Sequence, residues 1–138
     1  MEQRTPEWYA ARVGKVTASR VADLMAKTKT GYGASRGNYM AELLCERLTG
    51  EQAERFTSAE MQRGTDLEPQ ARAAYAFIHS VQVNECGFVA HPVISAFGAS
   101  PDGLIGVIGL VEIKCPNTAT HVDYLLSQTV PGKYETQM

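Results

Sequence analysis

An α/β or α+β domain with its sheet in the middle is what this 138-residue sequence predicts, on two observations. Apolar residues recur at helical spacing through the first half of the chain, and from about residue 81 they shorten into strand-like pieces before one last helical stretch. Thr17 is suited to cap a helix in which Val21, Leu24 and Met25 share a face. Ser35 is suited to cap another, carrying Tyr39, Met40, Leu43, Leu44 and Leu48 and stopped by Gly50. Between them, Lys27, Lys29, Gly31, Tyr32 and Gly33 read either as a mobile loop able to approach a phosphodiester backbone or as a plain solvated connection. A further helix is predicted from about Ser58 to Ile78, with Met61, Leu67, Ala71, Ala74, Tyr75 and Ile78 on its apolar side and Pro69 kinking it or opening its second half.

The strand-like pieces are 81–84, 87–90, 97–99, 103–106 and 109–115, the last being the clearest because it is rich in β-branched residues and closed by Pro116. Thr118 or Thr120 then caps a last helix through Val122, Tyr124, Leu125 and Leu126. Residues 131–138 begin what reads as another helix with no strand after it, so a single domain over 1–138, truncated at its C-terminus or unusually compact, is expected.

Composition narrows the function. With 44% hydrophobic residues and 20% charged residues the chain reads as an ordinary soluble domain, and it has neither a run long enough for a membrane helix nor an apolar start of the secretory kind. A cytoplasmic protein is expected. Cys45, Cys86 and Cys115 are odd in number and widely spaced, which excludes a disulfide framework and a paired zinc knuckle and leaves reduced thiols. The net charge of −2 hides an uneven split, since residues 1–37 hold seven basic and three acidic side chains and the rest six basic and twelve acidic. A positive front followed by an acid-rich body suits a phosphate-binding surface beside metal-binding carboxylates, although solvated helix faces give the same count.

The informative segment is Ser100-Pro101-Asp102-Gly103, followed by Glu112-Ile113-Lys114. Alternate residues of a strand share a face, so Glu112 and Lys114 are expected to project together with Ile113 turned inward. A hairpin through Gly106 and Gly109 that brought Asp102 alongside would gather two carboxylates and an ammonium in a small volume. Phosphodiester hydrolysis uses such a grouping: a hard cation such as Mg²⁺ takes carboxylate oxygens and activates water, and a lysine offsets the charge that develops. The bare spacing D-x₉-E-x-K is also met by chance, and a Glu–Lys pair on one strand is usually an ordinary ion pair.

These two pieces together resemble the active-site signature of the PD-(D/E)XK nucleases, and more narrowly that of the lambda exonuclease or YqaJ-like viral recombinase branch. Thr5-Pro6-Glu7-Trp8-Tyr9, Arg12-Val13-Gly14 and Val16-Thr17-Ala18-Ser19 resemble the family's opening segment, and Arg63-Gly64-Thr65 with Glu68-Pro69 and Ala71-Arg72 resembles its acidic helix. The resemblance implies a restriction-endonuclease-like core, a central mixed β-sheet flanked by helices. It implies that Asp102 and Glu112 ligate Mg²⁺ (Mn²⁺ is an alternative), that the Ile113 carbonyl completes the shell, that Glu68 serves a second metal or its water, and that Lys114 assists the nucleophile. Arg12 and Ser19 match positions that bind a terminal 5′ phosphate, with Ser100 beside them, and Tyr134-x-x-Gln137 resembles the start of a helix whose glutamine approaches the site. The implied activity is a 5′→3′ exonuclease on linear double-stranded DNA in phage-type recombination, acting as a ring-shaped trimer with a single-strand annealing recombinase as partner. Other readings are a structure-specific or restriction-like endonuclease, which needs no terminal-phosphate clamp, and a DNA-binding module without turnover.

Several residues are left with structural roles. Without the family pattern Arg12 reads as a surface ion pair with Glu7 or another acid, and Glu68 as a helix acid favoured by the dipole. His79, His91 and His121 lie in different elements without ligand spacing, Cys115 reads as a packing thiol, and Phe88, Phe97 and Tyr75 are expected in the core.

Overall fold

A computed structural model describes residues 1–53 and 56–137. Within it the chain packs as two compact units, one made of Met1–Glu54, Gly87–Ser100 and Gly132–Met138 and the other of Arg55–Cys86 and Pro101–Pro131.

The first unit opens with α1 (Pro6–Arg12), where the Thr5 side chain accepts from the Trp8 N–H and Pro6 occupies the first turn, needing no donor there. Strand β1 (Val16–Thr17) follows, then a short 3₁₀ turn over 18–20 and α2 (Val21–Met25). Thr17 therefore does not act as the expected side-chain cap. It is drawn into a sheet instead, because Val16 N–H donates to the Ala96 carbonyl at 2.8 Å and starts a parallel ladder. The expected loop at 27–34 is a small antiparallel hairpin of β2 (Lys27–Thr28) and β3 (Gly31–Tyr32). Helix α3 (Ala34–Thr49) begins after Gly33 rather than at Ser35 and ends where predicted, at Gly50 with φ 74°. Its Tyr39 and Leu43 pack with Val16, and Val21, Leu24 and Phe97 close around them. Tyr39 is fully buried, and its hydroxyl accepts from the Thr17 N–H at 3.2 Å, so its one polar atom is satisfied. The sheet is completed by β5 (Val89–Ala90) and β6 (Phe97–Ala99), in the order β1-β6-β5 with β5 antiparallel, which makes it mixed.

The second unit is built on α4 (Ala59–His79), a single helix with Pro69 inside it and Ser58 capping the Met61 N–H. A three-stranded antiparallel sheet runs β4 (Val83–Asn84), β7 (Gly103–Ile105), β8 (Gly109–Val111), with β7 central. Gly103 has to be glycine, since a Cβ there would lie 2.3 Å from Val83 Cγ1. Helix α5 (Thr118–Ser127) is capped by Asn117, whose side chain accepts from the Thr120 N–H, so neither threonine takes that role.

The architecture is the mixed α/β arrangement the sequence predicts, with elements shorter than its pattern suggests. Strand β8 ends at Val111 and not at Cys115, because β7 pairs with it only as far as Gly103↔Val111. Past that point the Asp102 carboxylate takes the Ile113 N–H in place of a backbone partner. Phe88, Phe97 and Tyr75 are half-buried, and Ile78 is exposed, so the apolar side expected for the third predicted helix is only partly covered. Among the described residues no helix is long and apolar enough to cross a membrane.

Candidate active site

In the second unit the Pro101–Asp102 turn feeds directly into β7, and the hairpin β7–β8 returns the chain to Glu112, Ile113 and Lys114. Asp102 Oδ2 accepts from the Ile113 N–H at 2.6 Å, which fastens the turn to the far side of the hairpin. Glu112 and Lys114 do share a side, with Lys114 Nζ 2.5 Å from Glu112 Oε1, while Ile113 is half-buried rather than fully turned inward. Lys114 is the more exposed partner and Glu112 the more buried.

Glu68 joins them from α4. It is buried, and one turn later Arg72 donates to its Oε1 at 2.8 Å. Burial of the Asp102 carboxyl, reinforced by the negative charges of Glu112 and Glu68, pushes its pKa up to about 6 against the opposing pull of the Ile113 N–H and of Lys114. Asp102 therefore feels both glutamates, although among the described residues no three His, Cys, Asp or Glu side chains are grouped as a ready-made metal cage. The reason lies in the charges: mutually repelling carboxylates each take a cationic partner, Glu112 with Lys114 and Glu68 with Arg72. The donor set fits a hard divalent cation, because carboxylate oxygens are its preferred ligands and a cation among them would relieve the strain that raises Asp102. Cys86 and Cys115 lie in this unit too, and burial raises both thiols, with Asp102 adding to the effect at Cys86 and Glu68 at Cys115 against the pull of Arg72 and Arg63.

A second cluster lies in the first unit. Arg12, at the end of α1, is buried, and its guanidinium carbon stands 4.0 Å from the centroid of the Trp8 ring. Arg12 Nη1 and Trp8 Nε1 each donate to Ser100 Oγ at 3.0 Å. Arg12 is therefore buried against an aromatic face, not on the surface as sequence alone suggested. Arg12 and Ser100 are thus brought together. The Ser19 hydroxyl lies instead 3.4 Å from that of Thr17, and Gln137 lies past the 3₁₀ turn Gly132–Tyr134 with its N–H on the Tyr134 carbonyl. The loop after Arg12 is held from α3, where Glu46 accepts from the Gly14 N–H and Arg47 donates to the Gly14 carbonyl, both at 2.8 Å. Glu46 was legible as a charge on the buried stripe of Tyr39 and Leu43, three positions after Leu43, and was missed. Arg72 belongs to the acidic-helix motif but carries no role in the sequence reading, although its i,i+4 spacing from Glu68 signals one. The histidines lie apart: His79 packs on Tyr75 at the end of α4, His91 Nδ1 accepts from the Val93 and Ile94 N–H groups, and His121 lies in α5.

The fold is mixed α/β, with a Pro-Asp turn leading into β7, a Glu-x-Lys just past the end of β8 and a glutamate on α4. The chain belongs to the YqaJ-like viral recombinase family, whose domain it matches over residues 7–138. It is similar to the crystal structure of an alkaline exonuclease, LHK-Exo, from Laribacter hongkongensis, with 56% sequence identity and a TM-score of 0.87. A second crystal structure, of LHK-Exo in complex with dAMP, matches with the same identity and score. The likeness covers 97% of this chain and 65% of the LHK-Exo chain. No curated protein matches it.

Proposed function

We propose that the chain forms the catalytic part of a metal-dependent deoxyribonuclease, a 5′→3′ exonuclease acting on linear double-stranded DNA in phage-type recombination. The observation that carries this is the meeting of Asp102, Glu112 and Lys114 on one hairpin, with Glu68 close enough to raise the Asp102 pKa. The family and the likeness to an alkaline exonuclease support the same class of reaction. Asp102, Glu112, Glu68 and the Ile113 carbonyl would hold Mg²⁺ or Mn²⁺. When bound, the cation supplies an activated water and neutralises a phosphate oxygen. Lys114, paired with Glu112 in the structure, would offer its ammonium to the charge that grows on the phosphorus centre.

Arg12 and Ser100 would bind the terminal 5′ phosphate, the guanidinium offering parallel donors and the hydroxyl turning from acceptor to donor. Ser19 and Gln137 are assigned to DNA contact on the family pattern alone. The same family supports a cytoplasmic enzyme that works as a trimer with a single-strand annealing recombinase.

The test is digestion of matched linear and circular duplexes, the linear one with and without a 5′ phosphate, in Mg²⁺ or EDTA, with Lys114→Ala as control. Cation-dependent loss of linear 5′-phosphorylated DNA alone, abolished by the substitution, is the expected result. Cutting of the circle would establish an endonuclease, and cation-independent DNA binding without turnover would establish a binding module.

A further inference from the structure

We propose that Arg72 is a positioning residue of the carboxylate site: its guanidinium sets the Glu68 carboxylate against the Asp102 turn and so determines the spacing on which cation binding depends. This rests on the reading above that both acids are cation ligands. Arg72 lies one turn beyond Glu68 on α4, and its side chain is only 11% exposed. Nη2 donates to Glu68 Oε1 and Nε to the Asp102 main-chain carbonyl, both at 2.8 Å, while Nη1 pairs with Glu85 Oε1 ahead of β5. Three directions of one planar group are therefore committed. Because the fork is rigid, fixing any one contact fixes the others, which a lysine ammonium cannot do.

The choice of atom matters. Arg72 takes the main-chain oxygen of Asp102, so the turn is held without drawing the Asp102 carboxylate into an ion pair, and that carboxylate is engaged by the Ile113 N–H instead. From the other end of α4, Arg63 Nη1 donates to the Pro116 carbonyl at 3.1 Å and to that of Cys115 at 3.4 Å, just past Lys114. One helix thus grips the segment from Asp102 to Lys114 at both ends and carries Glu68 between the two grips.

Charge and position make opposite predictions for Arg72. A positive charge beside the carboxylates opposes cation binding, so its removal alone tightens binding; misplacement of Glu68 and Asp102 weakens it. The experiment is calorimetric titration of the full chain with Mn²⁺ and steady-state hydrolysis of linear duplex DNA, for Arg72→Gln, Arg72→Lys, Glu85→Gln and Asp102→Asn, each checked for folding by circular dichroism. The expected result is Mn²⁺ affinity lower by roughly 10- to 100-fold in both Arg72 variants, as for other groups that orient metal ligands. A matching fall in kcat with KM for DNA nearly unchanged is expected beside it, and Glu85→Gln, which removes only the charge of the outer partner, should behave close to wild type. Tighter Mn²⁺ binding by Arg72→Gln, wild-type binding by Arg72→Lys, or an equal loss in Glu85→Gln would overturn the inference. If Asp102→Asn loses Mn²⁺ while Arg72→Lys does not, the inference alone fails; if Asp102→Asn binds Mn²⁺ as wild type does, the ligand reading falls and the inference with it.

Discussion

The two units of this molecule are organised around opposite kinds of centre. The first has an apolar core of Val16, Tyr39 and Leu43, and its buried Arg12 lies against the Trp8 ring and the Ser100 hydroxyl. In the second, the buried described residues are Glu68, Pro101 and Gly103, while Phe77, Ile78, Val107, Ile108, Leu125 and Leu126 are exposed. Ion pairs and arginine-to-carbonyl bonds hold its elements together where apolar burial is thin. The contrast separates two tasks. Arg12 is held against Trp8 and Ser100 before any phosphate arrives, whereas the carboxylates of the second unit sit in mutual repulsion that a cation would resolve.

Substitutions in the two centres should therefore fail in different ways, and the second unit should give the larger effect. Lys114→Ala is expected to lower kcat on linear duplex by roughly 10²- to 10³-fold, the usual cost of removing a donor aimed at developing charge, with DNA binding in EDTA unchanged. A mobility-shift assay beside single-turnover kinetics checks both halves, and unaltered kcat would remove Lys114 from the mechanism. Arg12→Ala should act on discrimination rather than on chemistry. Charge-assisted hydrogen bonds contribute about 1.5–3 kcal/mol, so the preference for 5′-phosphorylated over 5′-hydroxyl ends should shrink by roughly 10- to 100-fold. Equal losses on both kinds of end would show that Arg12 only supports the fold. Gly14→Ala sharpens the point: φ is +66° there, and a Cβ would lie 2.4 Å from Arg47 Cγ, so the loop after Arg12 must shift. A smaller loss of the same end preference is expected, with kcat on 5′-hydroxyl ends retained.

How much of this was legible in the sequence follows the same division. The Pro-Asp turn, Glu112 and Lys114 could be read because side chains on one hairpin are fixed by local spacing, and Glu112 and Lys114 do lie on one side. Strand ends were not legible, because Glu112–Cys115 has strand composition and the Asp102 carboxylate, a long-range partner, replaces the ladder at Ile113. Thr17 and Ser35 are good caps by residue type, yet Thr17 was claimed by a parallel pairing with β6 some eighty positions away. Arg72 was visible within the acidic-helix motif, but two of its three contacts, to Asp102 and Glu85, depend on how α4 meets the turn and the strand region, which no periodicity encodes.

The smallest predicted effect tests the charged centre most directly, through stability. Asp102 has its pKa raised from 3.8 to about 6 by burial and by its acidic neighbours, so the folded state holds the proton more tightly than the unfolded chain does. Below about pH 4 both states are protonated and nothing is lost. As the pH rises through 6 the unfolded chain has already ionised, and ionising the folded carboxylate costs stability that remains missing at pH 8. Asp102→Asn keeps an acceptor for the Ile113 N–H and removes that cost. With part of the group reached by solvent, about 1 kcal/mol is expected, a rise of roughly 2–5 °C in Tm at pH 8 in EDTA that vanishes near pH 4. Added Mn²⁺ should reverse the order, raising the Tm of the wild type and leaving Asp102→Asn unmoved, since only the ionised site gains from the cation. A variant less stable than wild type at pH 8 in EDTA would mean that the Asp102 carboxylate fastens the hairpin more than its neighbours repel it.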